Sequence, residues 1–165
     1  MILPDAEATF EVLLQKLKPL ITDNTALVGI HSGGVWLVDR LLPLLGRPVA
    51  RGTLDISFYR DDFDQRGLRA ENKPSQIPFD VQDQHIILVD DVFHTGRTIR
   101  AAMNELFDYG RPASISLAVL VDRGGRELPI VPQIVAANIP LPVSQNLQLL
   151  QSEDGRFHFE LKDSL

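Results

Sequence analysis

Apolar residues recur along this chain with two different periods, and the change from one to the other marks out its elements. Residues 5–21 carry Phe10, Leu13, Leu14, Leu17 and Ile21 on one stripe at helical spacing, and Pro19 limits the last turn. After a break at Asp23-Asn24, the run Ala26-Leu27-Val28-Gly29-Ile30 predicts a short buried strand. It empties into His31-Ser32-Gly33-Gly34, beyond which Val35, Val38, Leu41, Leu42 and Leu45 mark a second helix closed by Pro43 and Gly46. Residues 48–59 alternate loosely towards a strand through Val49, Leu54, Ile56 and Phe58. Residues 59–75 are then polar and charged with little periodicity, and so long a loop in a compact domain is a candidate active-site lid. Ile77-Pro78-Phe79-Asp80-Val81 predicts a short edge strand.

The chain is organised around its middle segment, residues 86–110. Ile86-Ile87-Leu88-Val89 is continuously apolar, the pattern of a strand buried on both faces. It runs into Asp90-Asp91-Val92-Phe93-His94-Thr95-Gly96-Arg97-Thr98, and then Ile99, Ala102, Met103 and Leu106 set a helical stripe with Gly110 placed as its C-cap. Residues 114–121 form another β-rich run, ending in Asp122-Arg123-Gly124-Gly125-Arg126, and residues 134–137 predict one more strand. Residues 146–149 and 157–161 alternate on either side of Asp154-Gly155, a favoured turn pair, and so predict a hairpin. Strands alternating with helices predict an α/β fold, a mainly parallel twisted sheet flanked by helices with right-handed crossovers. The hairpin is expected as a small antiparallel C-terminal addition.

Composition narrows the class. A chain of 165 residues is expected to be a single domain spanning 1–165, and 44% hydrophobic with 23% charged residues is ordinary for a globular protein. The absence of cysteine removes disulfides, zinc-thiolate sites and thiol nucleophiles. No signal peptide or membrane-length apolar run is visible, so a cytoplasmic protein with no membrane partner is expected. A formal net charge of −6 argues against non-specific nucleic-acid binding, although a local basic face is compatible with it.

Candidate chemistry lies where the strands end. A loop entering a helix N-terminus presents unpaired backbone N–H groups carrying partial positive charge, a cradle for phosphate. Thr95 and Thr98 add hydroxyl donors, and Gly96 lets the backbone approach an anion. Asp90 and Asp91 only accept hydrogen bonds when ionised, so beside a phosphate they require ligand hydroxyls or a metal ion. A ribose 5-phosphate has that pattern, with its phosphate at one end and vicinal hydroxyls at the other. Either aspartate alone reads more simply as a helix cap. The whole run matches the phosphoribosyl pyrophosphate (PRPP) motif of type I phosphoribosyltransferases. The loop at His31-Ser32-Gly33-Gly34 is a second strand–loop–helix unit; alone it reads as a tight turn, but paired with the first it suits a ligand with two phosphate-bearing ends.

Residues 89–98, taken with Tyr59-Arg60-Asp61-Asp62 and with the segment 121–130, closely resemble one family: bacterial pyrimidine operon attenuation regulators that are also uracil phosphoribosyltransferases. The likeness covers residues 27–139. It implies that Asp90 and Asp91 hold the ribose hydroxyls and that Phe93, His94, Thr95, Gly96, Arg97 and Thr98 surround the 5-phosphate. It implies that Tyr59 and Arg60 belong to a flexible catalytic loop, and that His31, Ser32, Gly33 and Gly34 form the pyrophosphate loop. Val92, Asp122 and Arg123 are implied to lie near the nucleobase. The resemblance further implies Mg²⁺ bound with PRPP near Asp90 and Asp91, and a homodimer or an assembly of dimers. His94 has three open roles: base or donor to uracil, phosphate contact, or loop filler, the last being ahead because the family accepts aromatic residues there.

Two departures stand out. The family's pyrophosphate loop resembles Thr-Arg-Gly, whereas Ser32-Gly33-Gly34 has no arginine. RNA-binding members also carry basic residues on the first helix and after Leu128-Pro129-Ile130, and those stretches here are nearly without them. The expected activity is therefore uracil plus PRPP giving UMP and pyrophosphate. The alternative is an RNA-binding regulator of pyrimidine genes whose nucleotide site senses UMP or UTP with little turnover.

Overall fold

The computed structural model describes residues 1–56 and 75–164. Tyr59 and Arg60, expected in the catalytic loop, lie outside the described residues, as does most of the candidate lid.

Helix α1 (Ala6–Leu17) starts at Asp5, whose carboxylate accepts the Glu7 N–H at 2.9 Å, and a 3₁₀ turn with Pro19 follows it. Strand β1 (Thr25–Ile30) leads to α2 (Gly33–Leu41), and β2 (Ala50–Leu54) comes next. Residues 77–81 form no strand: Gln76 makes one antiparallel bridge to Thr53, and Pro78 has no N–H with which to extend a ladder. Ile77 and Phe79 instead pack on a core. Strand β3 (His85–Phe93) runs four residues beyond the apolar run, so the acidic pair lies inside the strand. Helix α3 (Arg97–Leu106) ends earlier than Gly110 suggested, with Phe107 in the cap position. Strands β4 (Ser114–Asp122), β5 (Ile134–Asn138), β6 (Gln145–Gln151) and β7 (Phe157–Asp163) complete the described elements.

The five strands β1–β5 form one parallel sheet in the order β2-β1-β3-β4-β5. Because side chains alternate along a strand, each central strand feeds two cores. Leu27, Ile87, Val89 and Leu120 face Phe10, Leu13 and Leu17 of α1 with Leu37, Val38 and Leu41 of α2. Val28, Ile86, Leu88 and Val119 face Ile99, Ala102 and Leu106 of α3. Burying each such leucine or isoleucine contributes roughly 1.5–3 kcal/mol.

Strands β6 and β7 pair only with each other, antiparallel, in a sheet of their own. The hairpin is the small antiparallel addition expected, and it docks by its apolar face: Leu147, Leu149 and Phe157 bury themselves in the α1/α2 core. Its anchor is polar as well. Glu7 accepts the Phe157 N–H at 2.9 Å and pairs with both terminal nitrogens of Arg40, whose guanidinium lies 4.5 Å from the Phe10 ring centre and 4.6 Å from that of Phe157. Among the described residues no helix is long and apolar enough to cross a membrane.

Candidate functional site

Strand order reverses direction beside β1: the chain goes outward to β2 on one side and resumes at β3 on the other. In open α/β sheets the crevice at the carboxyl ends of such strands is where ligands bind. Here the loop after β1 and the loop after β3 flank it.

Three glycines bring these loops together. Gly29, inside β1, lets α2 approach so closely that a Cβ there would stand 2.7 Å from the Gly34 carbonyl oxygen. A Cβ on Gly34 would overlap the Val89 carbonyl, and one on Gly33 would stand 2.6 Å from Asp91 Cγ. The Ser32-Gly33-Gly34 turn is therefore seated on the acidic end of β3. Its first helical donors are used late: the Val35 and Trp36 N–H groups reach back to the Ser32 carbonyl at 3.1 and 3.2 Å, so the Gly33 and Gly34 amides precede the helical ladder. The His31–Ser32 peptide is cis, and the His31 N–H donates to Leu54 at 3.0 Å. Ser32 is exposed, His31 half-buried.

On β3, Asp90 is buried and Asp91 half-buried; Asp90 Oδ1 accepts the Asp91 N–H and Asp91 Oδ1 the Val92 N–H, each at 2.9 Å. Three residues, His94, Thr95 and Gly96, then carry the chain into α3. Gly96 has φ +101°, a left-handed conformation that disfavours other residues, and it occupies the N-cap. Thr95 Oγ1 accepts the Arg97 N–H at 3.2 Å. Phe93 is divided in role: its ring is buried in the α3 core while its carbonyl accepts the Arg123 N–H at 3.0 Å.

Residues 123–130 wrap this loop, an arrangement the sequence did not reveal. The Glu127 and Leu128 N–H groups donate to the Thr95 carbonyl at 3.0 and 3.2 Å, and Glu127 pairs with Arg97. His94 lies over Gly125, where a Cβ would come within 2.9 Å of its imidazole. Leu128 and Ile130 close over Gly96. Gly125 and Glu127 left no local pattern of this role, whereas Gly29, an isolated glycine inside an apolar strand, was a readable sign of close backbone approach.

Val92 and Phe93 are in register with Val121 and Asp122, so the nucleobase candidates Val92 and Asp122 do share one edge of the sheet. Asp122 Oδ1 accepts the Gly124 N–H at 2.9 Å. Arg123 behaves differently: its buried guanidinium donates to Asn146 Oδ1 and the Pro142 carbonyl, both at 3.0 Å.

A cleft of about 550 Å³ on the flank between α1, α2 and the hairpin turn contains none of these residues; Glu7, Trp36, Asp39 and Arg156 line it. Its charges are internally matched, with Glu7 paired to Arg40 and Asp39 to Arg51, so the loop crevice is the better candidate for chemistry. Among the described residues no group of three or more His, Cys, Asp or Glu side chains is placed to hold a metal.

The family described as phosphoribosyl transferase domain matches residues 9–141. The "Bifunctional protein PyrR" of Nitrosococcus oceani is 47% identical over 153 residues, covering 92% of this chain and 86% of that protein. Its namesake from Pseudomonas aeruginosa is 54% identical over 123 residues, covering 74% of this chain and 72% of the other. Among solved structures, a hypoxanthine phosphoribosyltransferase from Staphylococcus aureus superposes with TM-score 0.64 at 19% identity, over 85% of this chain and 77% of its own. The HGPRT-ase of Leishmania tarentolae, in complex with GMP, gives 0.63 at 21% identity, over 86% and 82%. At such identities these two establish likeness of fold.

Proposed function

Because the chain belongs to the phosphoribosyl transferase domain family, alongside the bifunctional PyrR proteins, we propose that it transfers a 5-phosphoribosyl group from PRPP to uracil, releasing pyrophosphate and forming UMP. The observation that carries this reading is the seating of the Gly33-Gly34 turn on Asp91, which puts two helix N-termini on either side of one acidic pair. The 5-phosphate takes the amides and hydroxyls of residues 95–98, where helix α3 begins. Asp90 and Asp91 accept the ribose hydroxyls, and the pyrophosphate points towards residues 31–34.

In the reaction the bond from the anomeric carbon to pyrophosphate breaks, the bond to uracil N1 forms, and the N1 proton is released. Positive charge develops on the ribose ring, and the paired carboxylates lie where they favour it. The remaining contribution is positioning, since two fixed loops hold both ends of the donor. Without an arginine in the pyrophosphate turn, the Gly33 and Gly34 amides receive the leaving group directly; a side chain at either position would strike Asp91 or the Val89 carbonyl and shift the turn. Asp90 and Asp91, with no third metal-ligating side chain beside them among the described residues, would hold Mg²⁺ that arrives with PRPP. Bound at Asp90 and Asp91, it would neutralise charge on the departing pyrophosphate. Tyr59 and Arg60 belong to the same proposal as parts of the loop that covers the pyrophosphate.

A steady-state assay of the purified protein against PRPP and a panel of nucleobases tests the reading, and no turnover with any base would remove it. A second reading is favoured by relatives named bifunctional: RNA-binding regulation of pyrimidine genes by the same nucleotide site. A mobility shift with pyrimidine-operon leader RNA, with and without UMP and at stated salt, tests that one. We place both activities in the cytoplasm and in a homodimer or an assembly of dimers, which sedimentation will check.

A further inference from the structure

Arg123 is a buried cation with no matching anion among the described residues. It is 3% exposed, and among the described residues no carboxylate pairs with it. Its two terminal nitrogens bind neutral acceptors, Asn146 Oδ1 and the Pro142 carbonyl, and its Nε is buried without a hydrogen-bond partner. Burial alone lowers its pKa from the ordinary arginine value. Packing by an apolar side chain would avoid these costs, so the contacts made by the guanidinium need a reason beyond stability.

Those contacts join the segment 139–146 to the end of β4. The Ile139 N–H donates to the Asp122 carbonyl and the Leu141 N–H to the Arg123 carbonyl, both at 3.0 Å; the guanidinium then fixes the next residues, Pro142 and Asn146. On the other side of β3 lies β1 with the pyrophosphate turn, so the space left for a base is on the β4 side, beside Asp122. Segment 139–146 is bonded to the end of β4 on that side. The two backbone bonds survive any substitution at position 123, whereas the two guanidinium bonds do not.

We infer that Arg123 is a positioning residue for the nucleobase: its guanidinium pins residues 142–146 as the outer wall of the base site, without touching the base itself. The inference rests on the phosphoribosyl-transfer reading above. It separates two parts of one ligand, because the Phe93 carbonyl, and with it the phosphate loop, is held by the Arg123 backbone N–H.

Calorimetric titration with ribose 5-phosphate and with UMP reads the two parts separately. Arg123→Met is expected to weaken UMP by at least tenfold and to change ribose 5-phosphate by less than twofold. Arg123→Lys keeps the charge but cannot span both acceptors, and is expected to show the same split. Asn146→Ala removes one acceptor at an exposed position, where folding is not at stake, and is expected to weaken UMP about threefold alone. If the Met variant does not fold, the Asn146 variant decides. UMP and ribose 5-phosphate weakening together, or neither changing, would overturn the inference. Failure of the parent protein to bind UMP while binding ribose 5-phosphate would instead defeat the uracil reading, and with it the inference, before any variant is compared.

Discussion

Gly33 faces the carboxylate of Asp91 with no side chain between them: a Cβ at position 33 would overlap Asp91 Oδ2 and stand 2.6 Å from Cγ. The Ser32-Gly33-Gly34 turn and the Asp91 carboxylate are thus fitted to each other. Gly33→Ala must displace one of them by several tenths of an ångström or more. We expect a fold that survives, and a kcat reduced by about a hundredfold, the cost of small misplacement in a positioned reaction. An Ala variant with parental kcat would show that the two groups do not act on one ligand.

Asp91→Asn preserves shape and removes charge. It is expected to fold normally and to lose turnover by a larger factor than UMP affinity, because the carboxylate matters most as charge develops on the ribose. Comparison of kcat with calorimetric affinity decides. Equal kcat in the two proteins would leave Asp91 a structural residue.

Thr95→Ala and Thr98→Ala each remove one hydroxyl beside the proposed phosphate. Each is expected to weaken PRPP and UMP by about 1–2 kcal/mol, the usual scale for a hydrogen bond to a charged oxygen. Unchanged affinity in both variants would move the phosphate elsewhere.

His94 packs on Gly125, as a loop-filling ring would. His94→Phe keeps a flat ring there and is expected to retain kcat/KM within about tenfold, ~1.4 kcal/mol of transition-state stabilisation. A loss beyond about a hundredfold with folding intact, together with disappearance of the acid limb of the pH profile, would make the imidazole the base that removes the N1 proton.

Glu7 ties α1 to α2 and to the hairpin, and the hydrogen bond from Arg40 holds its pKa down, from 4.5 to about 2. A carboxylate with a depressed folded-state pKa contributes stability above its unfolded pKa, and loses it as pH falls through the folded one. Glu7→Gln is expected to cost about 1–2 kcal/mol at neutral pH, discounted for partial exposure, and the difference should shrink between about pH 4.5 and 2. Chemical denaturation of both proteins across that range measures it; a gap independent of pH would assign the effect to packing.

Local signals carried much of this molecule. The apolar run at residues 86–89 announced a strand buried on both faces, and Val28, Ile86 and Leu88 do face one core while Leu27, Ile87 and Val89 face the other. The two loop–helix units were readable because glycine, threonine and the following helical stripe are all local. What escaped was set by backbone groups distant in sequence. Glu127 and Leu128 reach the Thr95 carbonyl through amides that every residue but proline possesses, so no side-chain pattern marks the contact. The hairpin was legible, yet its docking was not, because alternation shows that one face is apolar without showing what covers it. The family resemblance implied that Arg123 lies near the base, but its burial against Pro142 and Asn146 depends on a chain reversal that composition does not encode.

The bond between Glu7 and Phe157 joins residues 150 positions apart. Ribosomal synthesis at about 5–20 residues per second would separate their appearance by roughly 8–30 s. Through that interval the first helix of the chain has neither its Phe157 partner nor the hairpin that covers Phe10. The sheet and α2 can cover most of the helix's apolar stripe earlier, but the Phe10 end of it stays open to chaperones until β7 emerges.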